Sequence, residues 1–460
     1  MVAAVAARRA PPTVEGLPLV GAWRMVGARM HHAVQAEHER LGDVYRFRLG
    51  PTRLWAVRDP VLVEEILVHR RDVWQKTGSP TYAILRELLG QGLVTADGPA
   101  WLKHRRLAQP AFHRERIARF SLIMARVAED TAARFDEAAS RGEVVDIGRE
   151  MLLFTQRVIG LTMLSVDLAG ERGRVLAGAL DEGLHAIEAR TSSLVPLPPW
   201  VPTPSGRALR RSRAALDELV FALIAERRKR RTAGGAPGGD GDLLDMLMDA
   251  VDEDTGASLS DVELRDEVMT IFLAGHETTS NLLSWVFVAL HEQPALADTL
   301  AASLAGTAPL SLARPSSTPT LLDRVIDETL RWRPPVWAVD RAAATATTLG
   351  GYAVATGDLV LVTPWALHRH PEFWPDAERF DPDRFLPEAV AARPKLASLP
   401  FLAGNRKCIG DQFALSEARI ALGTWLPRFT VTLASPTRPA EELAVTLRPR
   451  GPLLARLTRR

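Results

Sequence analysis

The chain is poor in cysteine and in asparagine. Its 460 residues include one cysteine, Cys408, and two asparagines, Asn281 and Asn405. A single thiol excludes an intramolecular disulfide, and neither asparagine begins a glycosylation sequon. Because nothing in this composition favours an oxidising compartment, we expect a cytoplasmic protein. A lone cysteine also cannot build a tetrahedral zinc site by itself.

The chain also has little net charge and few long apolar runs without a charged residue. The formal net charge is +2, too small for a nucleic-acid partner, since phosphate binding needs a concentrated basic surface. The candidate membrane span at 268–290 carries Glu277 near its middle, and one acidic residue there costs roughly 2.5–3.5 kcal/mol. The apolar run at 2–7 precedes two arginines, an order that does not suit a secretory signal. We therefore expect no stable membrane anchor.

The segment 401–410 places Cys408 between two glycines, beside two cations and just before a helical stretch. The helix dipole and the cations predict a thiol that loses its proton easily, and a thiolate is a soft metal ligand. Gly404 can take a turn closed to other residues, and Gly410 lets a planar group approach the backbone. Such a cysteine can be the single protein ligand of a haem iron. The alternative is a buried structural thiol.

Five positions of this segment form a pattern. Phe401, Gly404, Arg406, Cys408 and Gly410 match Phe-x-x-Gly-x-Arg-x-Cys-x-Gly, so the segment resembles the haem-thiolate loop of the cytochrome P-450 family. The resemblance implies heme b (iron protoporphyrin IX) as the cofactor and Cys408 as the ligand of its iron. It also implies that Phe401, Arg406 and Gly410 contact the cofactor. Three further family motifs should then lie upstream.

One of these motifs concerns the haem propionates. Trp101 and Arg105 stand four residues apart in a basic helix and are similar to the family's Trp-x-x-x-Arg, which hydrogen-bonds a propionate. Alone, this spacing also fits a solvated helix face with a buried tryptophan. Arg341, which follows the apolar 336–339, lies where the family places another propionate ligand.

A long helix is predicted to start at the capping box Ser260-Asp-Val-Glu263 and to continue until Pro294. Its midpoint, Ala274-Gly-His-Glu-Thr-Thr279, resembles the family motif of a kinked helix over the haem. The motif also contains the His-Glu pair that opens a zinc-protease signature. That function is excluded because the second histidine is replaced by Ser280.

The resemblance assigns roles within this helix. Ala274 is expected to contact the haem, and Gly275 to make room for oxygen. Thr278 is expected to hold the water that delivers a proton, with Glu277 connecting that water to solvent. The alternative for Thr278 is a hydrogen bond to a carbonyl one turn earlier, as buried helical threonines often make. A haem-based sensor, or an isomerase or peroxygenase without an external electron donor, is also possible, but the acid–alcohol pair favours the oxygenase.

A further motif is structural. Glu328 falls on the apolar stripe of a helix, where an unpaired carboxylate is expensive. Glu328 and Arg331 match the family's Glu-x-x-Arg, and Arg384 lies in a Phe-x-Pro-x-Arg-Phe stretch. The resemblance implies that these three residues form a triad that locks the loop before the cysteine.

The overall pattern predicts a mainly α protein with a minor β region. The chain is 47% apolar, enough for a large core. Alternation predicts a β-hairpin at 44–57, the helical period runs from 61 to 292, and 233–239 is typical of a linker. Short strands are expected near 359–362, 429–433 and 444–447. We expect one cytochrome P-450 domain over 1–460, with a long central helix crossing a buried haem.

The resemblance implies a soluble, bacterial-type, monomeric monooxygenase. It would use O₂ and electrons from a ferredoxin or flavodoxin with its NAD(P)H reductase, docked on the basic surface at 103–116 and Lys407. Its substrate would be a hydrophobic small molecule such as a terpenoid, fatty acid or steroid. The expected substrate contacts are four largely apolar segments: 79–94, 168–204, 271–274 and 336–339.

Overall fold

The structure is a computed structural model that describes residues 10–460 except 18–19, 28, 169, 192–200, 234–240, 253 and 255. Nearly all of the expected linker at 233–239, the apolar run at 2–7 and part of the expected substrate segment at 168–204 lie outside the described residues.

Helices dominate the described chain and account for 57% of the structure, which confirms the mainly α prediction. The α-helices are α1 Met30–Leu41, α2 Pro60–Glu64, α3 Pro80–Leu89, α4 Gly98–Ala108, α5 Arg114–Arg141, α6 Ile147–Met163, α7 Glu171–Thr191, α8 Pro204–Thr232, α9 Leu243–Asp249, α10 Asp261–Glu292, α11 Pro294–Leu304, α12 Leu321–Trp332, α13 Pro364–Leu367, α14 Pro387–Ala391 and α15 Asp411–Trp425.

The strands are short. They are β1 Val44–Leu49, β2 Thr52–Val57, β3 Trp74–Gln75, β4 Val144–Asp146, β5 Val339–Ala343, β6 Thr347–Leu349, β7 Tyr352–Val354, β8 Leu359–Val362, β9 Phe429–Leu433, β10 Glu441–Leu443, β11 Leu447–Pro449 and β12 Leu454–Arg459. They form a five-stranded sheet in the order β1-β2-β8-β5-β3, a three-stranded sheet β4-β12-β9, and two pairs, β10-β11 and β6-β7.

The predicted hairpin at 44–57 is confirmed. β1 and β2 pair antiparallel, with Phe47 opposite Leu54, and Gly50 takes the positive φ of 55° that the turn requires. Two predictions about strands were wrong. The helical period from 61 to 292 is interrupted by β3 and β4, and 444–447 is mostly the turn between β10 and β11. These short strands pair with distant partners, which local periodicity does not reveal.

Helix α10 is the centre of the fold. It has 32 residues, so at ~1.5 Å per residue it is about 48 Å long. The capping box is present: the Ser260 amide donates to Glu263 Oε2 at 2.8 Å, and the Glu263 amide donates to Ser260 Oγ at 3.3 Å. Nearly every residue from Leu264 to Leu290 is buried, and α10 packs against α6, α8, α12 and α15. Apolar residues on several sides of the helix, together with buried polar groups that are paired with neighbouring elements, place it inside the core.

The predicted triad is present. Arg331 Nε and Nη2 donate to the two carboxylate oxygens of Glu328 at 2.7 and 2.8 Å, and both side chains are fully buried. Arg384 Nε lies 3.7 Å from Glu328 Oε1. Arg331 also donates to the carbonyl of His368 at 3.1 Å, and the amide of Leu399 donates to Nε2 of His368 at 2.8 Å. The triad is thus connected to the chain just before the 401–410 segment.

Candidate active site

The backbone of the 401–410 segment is tightly constrained. The Cys408 amide donates to the Phe401 carbonyl at 2.9 Å. Gly404 has φ of 71°, and a Cβ there would lie 2.2 Å from the Leu67 carbonyl oxygen, so only glycine fits. At Gly410 a Cβ would meet Phe112 at 3.7 Å, an ordinary contact. The protein itself therefore leaves room at Gly410 on the cysteine side of α15.

The prediction that the Cys408 thiol loses its proton easily was wrong for the metal-free side chain. Desolvation by the surrounding protein raises its pKa to about 11, although the Gly410 amide and the cations Arg105 and Lys407 lower it. Cys408 nevertheless keeps an exposed surface. Because a coordinating metal displaces the thiol proton outright, the side chain remains a suitable ligand.

Helix α10 presents bare surface at its midpoint. Ala274 is exposed and Thr278 is half-buried, while His276 and Glu277 between them are buried. Gly275 does not face this surface, since a Cβ there would lie 2.4 Å from Ile159 of α6. The expectation that Gly275 makes room for oxygen is therefore replaced by a packing role. The helix is continuous through this region, so the expected kink does not interrupt its secondary structure at 274–279.

Thr278 makes the hydrogen bond that the alternative interpretation predicted. Its hydroxyl donates to the Ala274 carbonyl at 2.8 Å, which fixes the position of Oγ1 on the bare surface of α10. The oxygen can still accept a hydrogen bond from water. This bond orients the hydroxyl and is compatible with a role in proton delivery.

Glu277 is buried and does not point the same way as Thr278, because adjacent helical residues diverge by about 100°. Its Oε1 accepts from the Thr446 hydroxyl at 2.8 Å, and Thr446 also accepts from the Asn281 amide at 2.9 Å. Its Oε2 has no hydrogen-bond partner among the described residues. Burial raises the pKa of Glu277, while Thr446 and the charge of Arg448 lower it. A carboxyl with a raised pKa holds a proton more readily than an ordinary glutamate does.

Three cations lie close together near the cysteine segment: the buried Lys76 and Arg341 and the half-buried Arg406. Lys76 donates to the Val94 carbonyl at 2.6 Å. Arg341 donates to the Tyr82 hydroxyl at 3.2 Å and to its neighbour's carbonyl. Burial lowers the pKa of Lys76, and the charges of Arg341 and Arg406 lower it further. Burial likewise lowers the pKa of Arg406, to about 10.

Two carboxylates accompany these cations. Asp97 pairs with Arg406 and also accepts from the Lys76 amide at 2.6 Å. Asp340 accepts from the hydroxyls of Ser79 and Thr81 at 2.9 to 3.0 Å. The cluster therefore carries more positive than negative charge, and buried charges of one sign require a counter-charge. A carboxylate of the ligand would supply it.

The predicted Trp101 and Arg105 lie on α4, close to the cation cluster and to the cysteine segment. The guanidinium of Arg406 stacks on the Trp101 ring, 3.8 Å from its centroid. Arg105 Nη1 donates to the Lys407 carbonyl at 3.2 Å. His104 of the same helix contacts the buried carboxylate of Glu267, so α4 is fastened to α10. The structure thus brings together Trp101, Arg105, Arg406 and Cys408.

Sequence analysis missed several members of this region. Lys76 and Tyr82 belong to the cation cluster, and the only sequence signal was their rarity in a chain with three tyrosines and few lysines. Thr446 gave no signal, because its contact with Glu277 spans 169 positions. Thr279 lies near the fully buried Glu417, whose carboxylate pKa burial raises well above its usual range.

A small apolar cavity lies behind α10. Its walls come from the end of α6 and from α7, α8 and α10: Leu164, Val166, Leu168, Leu176, Leu219, Val220, Leu223, Val268, Met269 and Phe272. Its volume is about 10 Å³, room for one water at most. It cannot hold a substrate, so we expect the substrate on the face of α10 that exposes Ala274.

The residues fit haem. The exposed thiol of Cys408 suits its iron. The cations Lys76, Arg341 and Arg406 suit its two propionates, and the bare surface at Ala274 suits contact with a planar ring. A mainly helical protein with this arrangement is a haem-thiolate enzyme. Haem bound through a thiolate supplies the electron donation that favours cleavage of the O–O bond.

Comparison with known proteins identifies the family. The cytochrome P450 family model matches residues 11–455. The chain is 34% identical over 444 residues to cyclooctatin synthase of Streptomyces melanosporofaciens, covering 94% of this chain and 93% of that protein. It is also 34% identical over 451 residues to pentalenene oxygenase of Streptomyces avermitilis, covering 96% of each. The crystal structure of the cytochrome P450DA heme domain superposes with a TM-score of 0.87 at 28% identity, covering 98% of each chain.

The chain belongs to the cytochrome P450 family and is a haem-dependent monooxygenase. Members of this family generally take electrons from redox partners and act on hydrophobic substrates. None of the helices in the described part of the chain has the length and apolar character of a bilayer span.

Proposed function

We propose that this monooxygenase hydroxylates a cyclic terpenoid. Two relatives that match nearly the whole chain are named cyclooctatin synthase and pentalenene oxygenase, and a third, 35% identical over 399 residues, is named cyclooctat-9-en-7-ol 5-monooxygenase. The exposed Ala274, set in an apolar helix, supports a substrate without strong polar anchors. Fatty acids and steroids are the competing substrate classes.

Each site residue has a proposed role. Cys408 ligates the iron. Trp101, Arg105, Arg341 and Arg406 hold the propionates, and the burial of Trp101 and Arg341 and the positive charge of the three arginines support this. Lys76 joins them. The predicted contacts of Phe401, Ala274 and Gly410 with the haem complete the set.

Thr278 and Glu277 deliver protons. The Thr278 hydroxyl, held by the Ala274 carbonyl, positions a water on the bare face of α10. Glu277 stores a proton on a carboxyl with a raised pKa, and it interacts with Arg448 and with the exposed His185. These groups give the carboxyl a polar route towards the surface. The observation that carries this role is the pairing of an exposed hydroxyl with a buried acid on adjacent positions of one helix.

We further propose a monomeric, cytoplasmic protein with one domain over 1–460. Its electron donor is a ferredoxin with an NAD(P)H reductase, docked on the face formed by α4, the start of α5 and Lys407. The structure reduces the free charge expected on this face, because Lys103 pairs with Glu263 at 2.7 Å and Arg106 pairs with Asp254. Lys407 likewise pairs with Asp411 at 2.6 Å, so the exposed Arg114 supplies part of the remaining attraction.

The test uses the haem-loaded enzyme with a ferredoxin, its reductase, NADPH and isotope-labelled O₂. A panel of cyclic terpenes is compared with fatty acids and steroids of similar size. We expect only terpenes to shift the haem absorption band and to yield a product that contains one labelled oxygen atom. A product formed without reductant, or without label, would instead assign the chain to isomerases or peroxygenases. A shift produced by fatty acids alone would overturn the substrate class.

A further inference from the structure

A cluster of potential metal ligands is formed by residues to which the proposed function gives no role. His31 and His32 stand in the first turn of α1, and Glu441 begins β10. One ligand atom from each of the three side chains lies within 4.8 Å of the other two. His32 Nε2 is 3.5 Å from Glu441 Oε2. The tertiary fold thus brings a residue of β10, near the carboxyl terminus, next to the first turn of α1.

His31 is the residue that needs explaining. It is completely buried, and neither ring nitrogen has a hydrogen-bond partner in the described structure. The rings of Trp365 and Trp337 lie edge-on to it, at 4.7 and 6.4 Å between centroids. An aromatic face can accept the single N–H of a neutral imidazole. In either tautomer the other nitrogen keeps a lone pair that no donor satisfies.

The charge balance around the cluster allows a cation. Glu441 Oε1 pairs with Arg333 at 2.9 Å, which leaves Oε2 directed at His32. Arg333 and Arg369 are close enough to oppose a positive ion, but Glu378 lies 3.4 Å from Arg333 and 2.7 Å from Arg369.

We propose that His31, His32 and Glu441 bind a divalent transition-metal ion of the Zn²⁺ type, with water as the fourth ligand. Two imidazoles and one carboxylate are a common zinc donor set. Bonds of about 2.1 Å place tetrahedral ligands about 3.4 Å apart, which His32 and Glu441 already satisfy. His31 must approach by about 1 Å to reach the same spacing.

The positions of the three ligands show how the ion would enter the site and which elements it would connect. The side chain of His32 is 46% exposed, so the ion can enter from solvent. Bound there, it would fasten α1 to the β10-β11 pair. The turn of this pair carries Thr446, which hydrogen-bonds both Glu277 and Asn281 of α10. The proposed ion therefore stabilises the structure that supports the proton-delivering carboxyl.

The test titrates ZnCl₂ into the haem-loaded enzyme by calorimetry after treatment with a chelator. Haem loading keeps Cys408 from binding the added metal. We expect one ion per chain, and at least a tenfold weaker affinity in His32→Gln and in Glu441→Gln. Zn²⁺ should also raise the Tm of the parent but not of these variants, because an ion that binds the native state stabilises it. Mg²⁺ should not compete, since it avoids imidazole ligands.

His69→Gln is the matched control. His69 and Glu64 form an exposed pair at 3.7 Å, so this variant removes a histidine–glutamate contact of similar length. It should bind Zn²⁺ as the parent does. The proposal is overturned if the parent binds no stoichiometric ion, or if His32→Gln and Glu441→Gln bind as tightly as the parent. His31→Phe should also weaken Zn²⁺ binding. If this buried substitution prevents folding, His32→Gln still tests the proposal, because His32 is exposed.

Discussion

Two groups of buried charge in this protein are satisfied to different degrees. In the triad, Glu328 accepts two hydrogen bonds from Arg331 and a third from the Asp381 amide at 2.8 Å. In the propionate cluster, Lys76 donates to one backbone carbonyl, and Arg341 to a carbonyl and a phenol. Both carboxylate oxygens of Glu328 are hydrogen-bonded within the chain, whereas in the described structure neither Lys76 nor Arg341 donates to a carboxylate. Incomplete pairing of buried cations therefore distinguishes the groups that we propose to bind the cofactor from those that support the fold.

The largest expected effect comes from breaking the triad. Glu328→Gln leaves Arg331 buried without its counter-charge, and loss of one partner of a buried pair costs roughly 3–5 kcal/mol. We expect poor folding and a much lower Tm, with or without haem. Thermal unfolding measured by circular dichroism checks this. Glu388→Gln, at an exposed position, is the control, and equal stability of the two variants would contradict the comparison.

Cys408→Ser should remove catalysis but spare the fold. The cysteine is exposed, and its amide makes the loop hydrogen bond to the Phe401 carbonyl, so replacing the sulfur with oxygen leaves that bond in place. The reduced carbon monoxide complex should lose its thiolate absorption band while Tm changes little. A variant with the parent spectrum would disprove the ligand assignment.

Thr278→Val tests the chemistry on the bare face of α10. The substitution keeps the shape and loses the hydroxyl. If Thr278 delivers protons, NAD(P)H consumption should continue while hydrogen peroxide replaces most of the hydroxylated product. Thr279→Val is the control, since Thr279 is buried near Glu417.

Peroxide and product are measured against the reductant consumed. Unchanged coupling in a well-folded Thr278→Val would mean that another group delivers the proton. If Thr279→Val is the uncoupled variant, the buried side of α10 around Glu417 becomes the route.

Lys76→Met examines the incomplete cluster directly. In the haem-free protein we expect unchanged or higher stability, because removing an unbalanced buried cation removes a desolvation cost. In the loaded protein, haem should leave about tenfold faster, the equivalent of about 1.4 kcal/mol. Transfer of haem to excess apomyoglobin measures the rate. Lys395→Met, at an exposed site, should change neither quantity, and a Lys76→Met variant that retains haem as the parent does would exclude Lys76 from the site.

The smallest effect concerns exposed charge. Arg114→Glu should slow reduction by a ferredoxin about threefold at low salt, and the difference should vanish as ionic strength rises, because salt screens exposed charges. Arg106→Glu should have less effect on attraction, since Asp254 already neutralises Arg106. Stopped-flow reduction at several salt concentrations checks both. Equal rates in all variants at low salt would move the docking site elsewhere.

Much of this protein was predictable because its signals are local. The capping box from Ser260 to Glu263, the alternation at 44–57 and the Glu328–Arg331 spacing each lie within a few residues, where helix and strand geometry alone set the contacts. The pattern around Cys408 pointed to haem for the same reason: the loop, the cations and the following helix are consecutive in the chain.

Other features depended on tertiary structure because their partners are distant in sequence. The raised pKa of Cys408 comes from desolvation by elements packed around it, which outweighs the neighbouring cations. Lys76 joins Arg341 only when β3 pairs with β5. Glu277 contacts Thr446 across 169 positions of the sequence, and His31 lies near Glu441 although most of the chain separates them. Composition and spacing carry no information about such contacts, since burial and proximity are set by how the helices and strands pack.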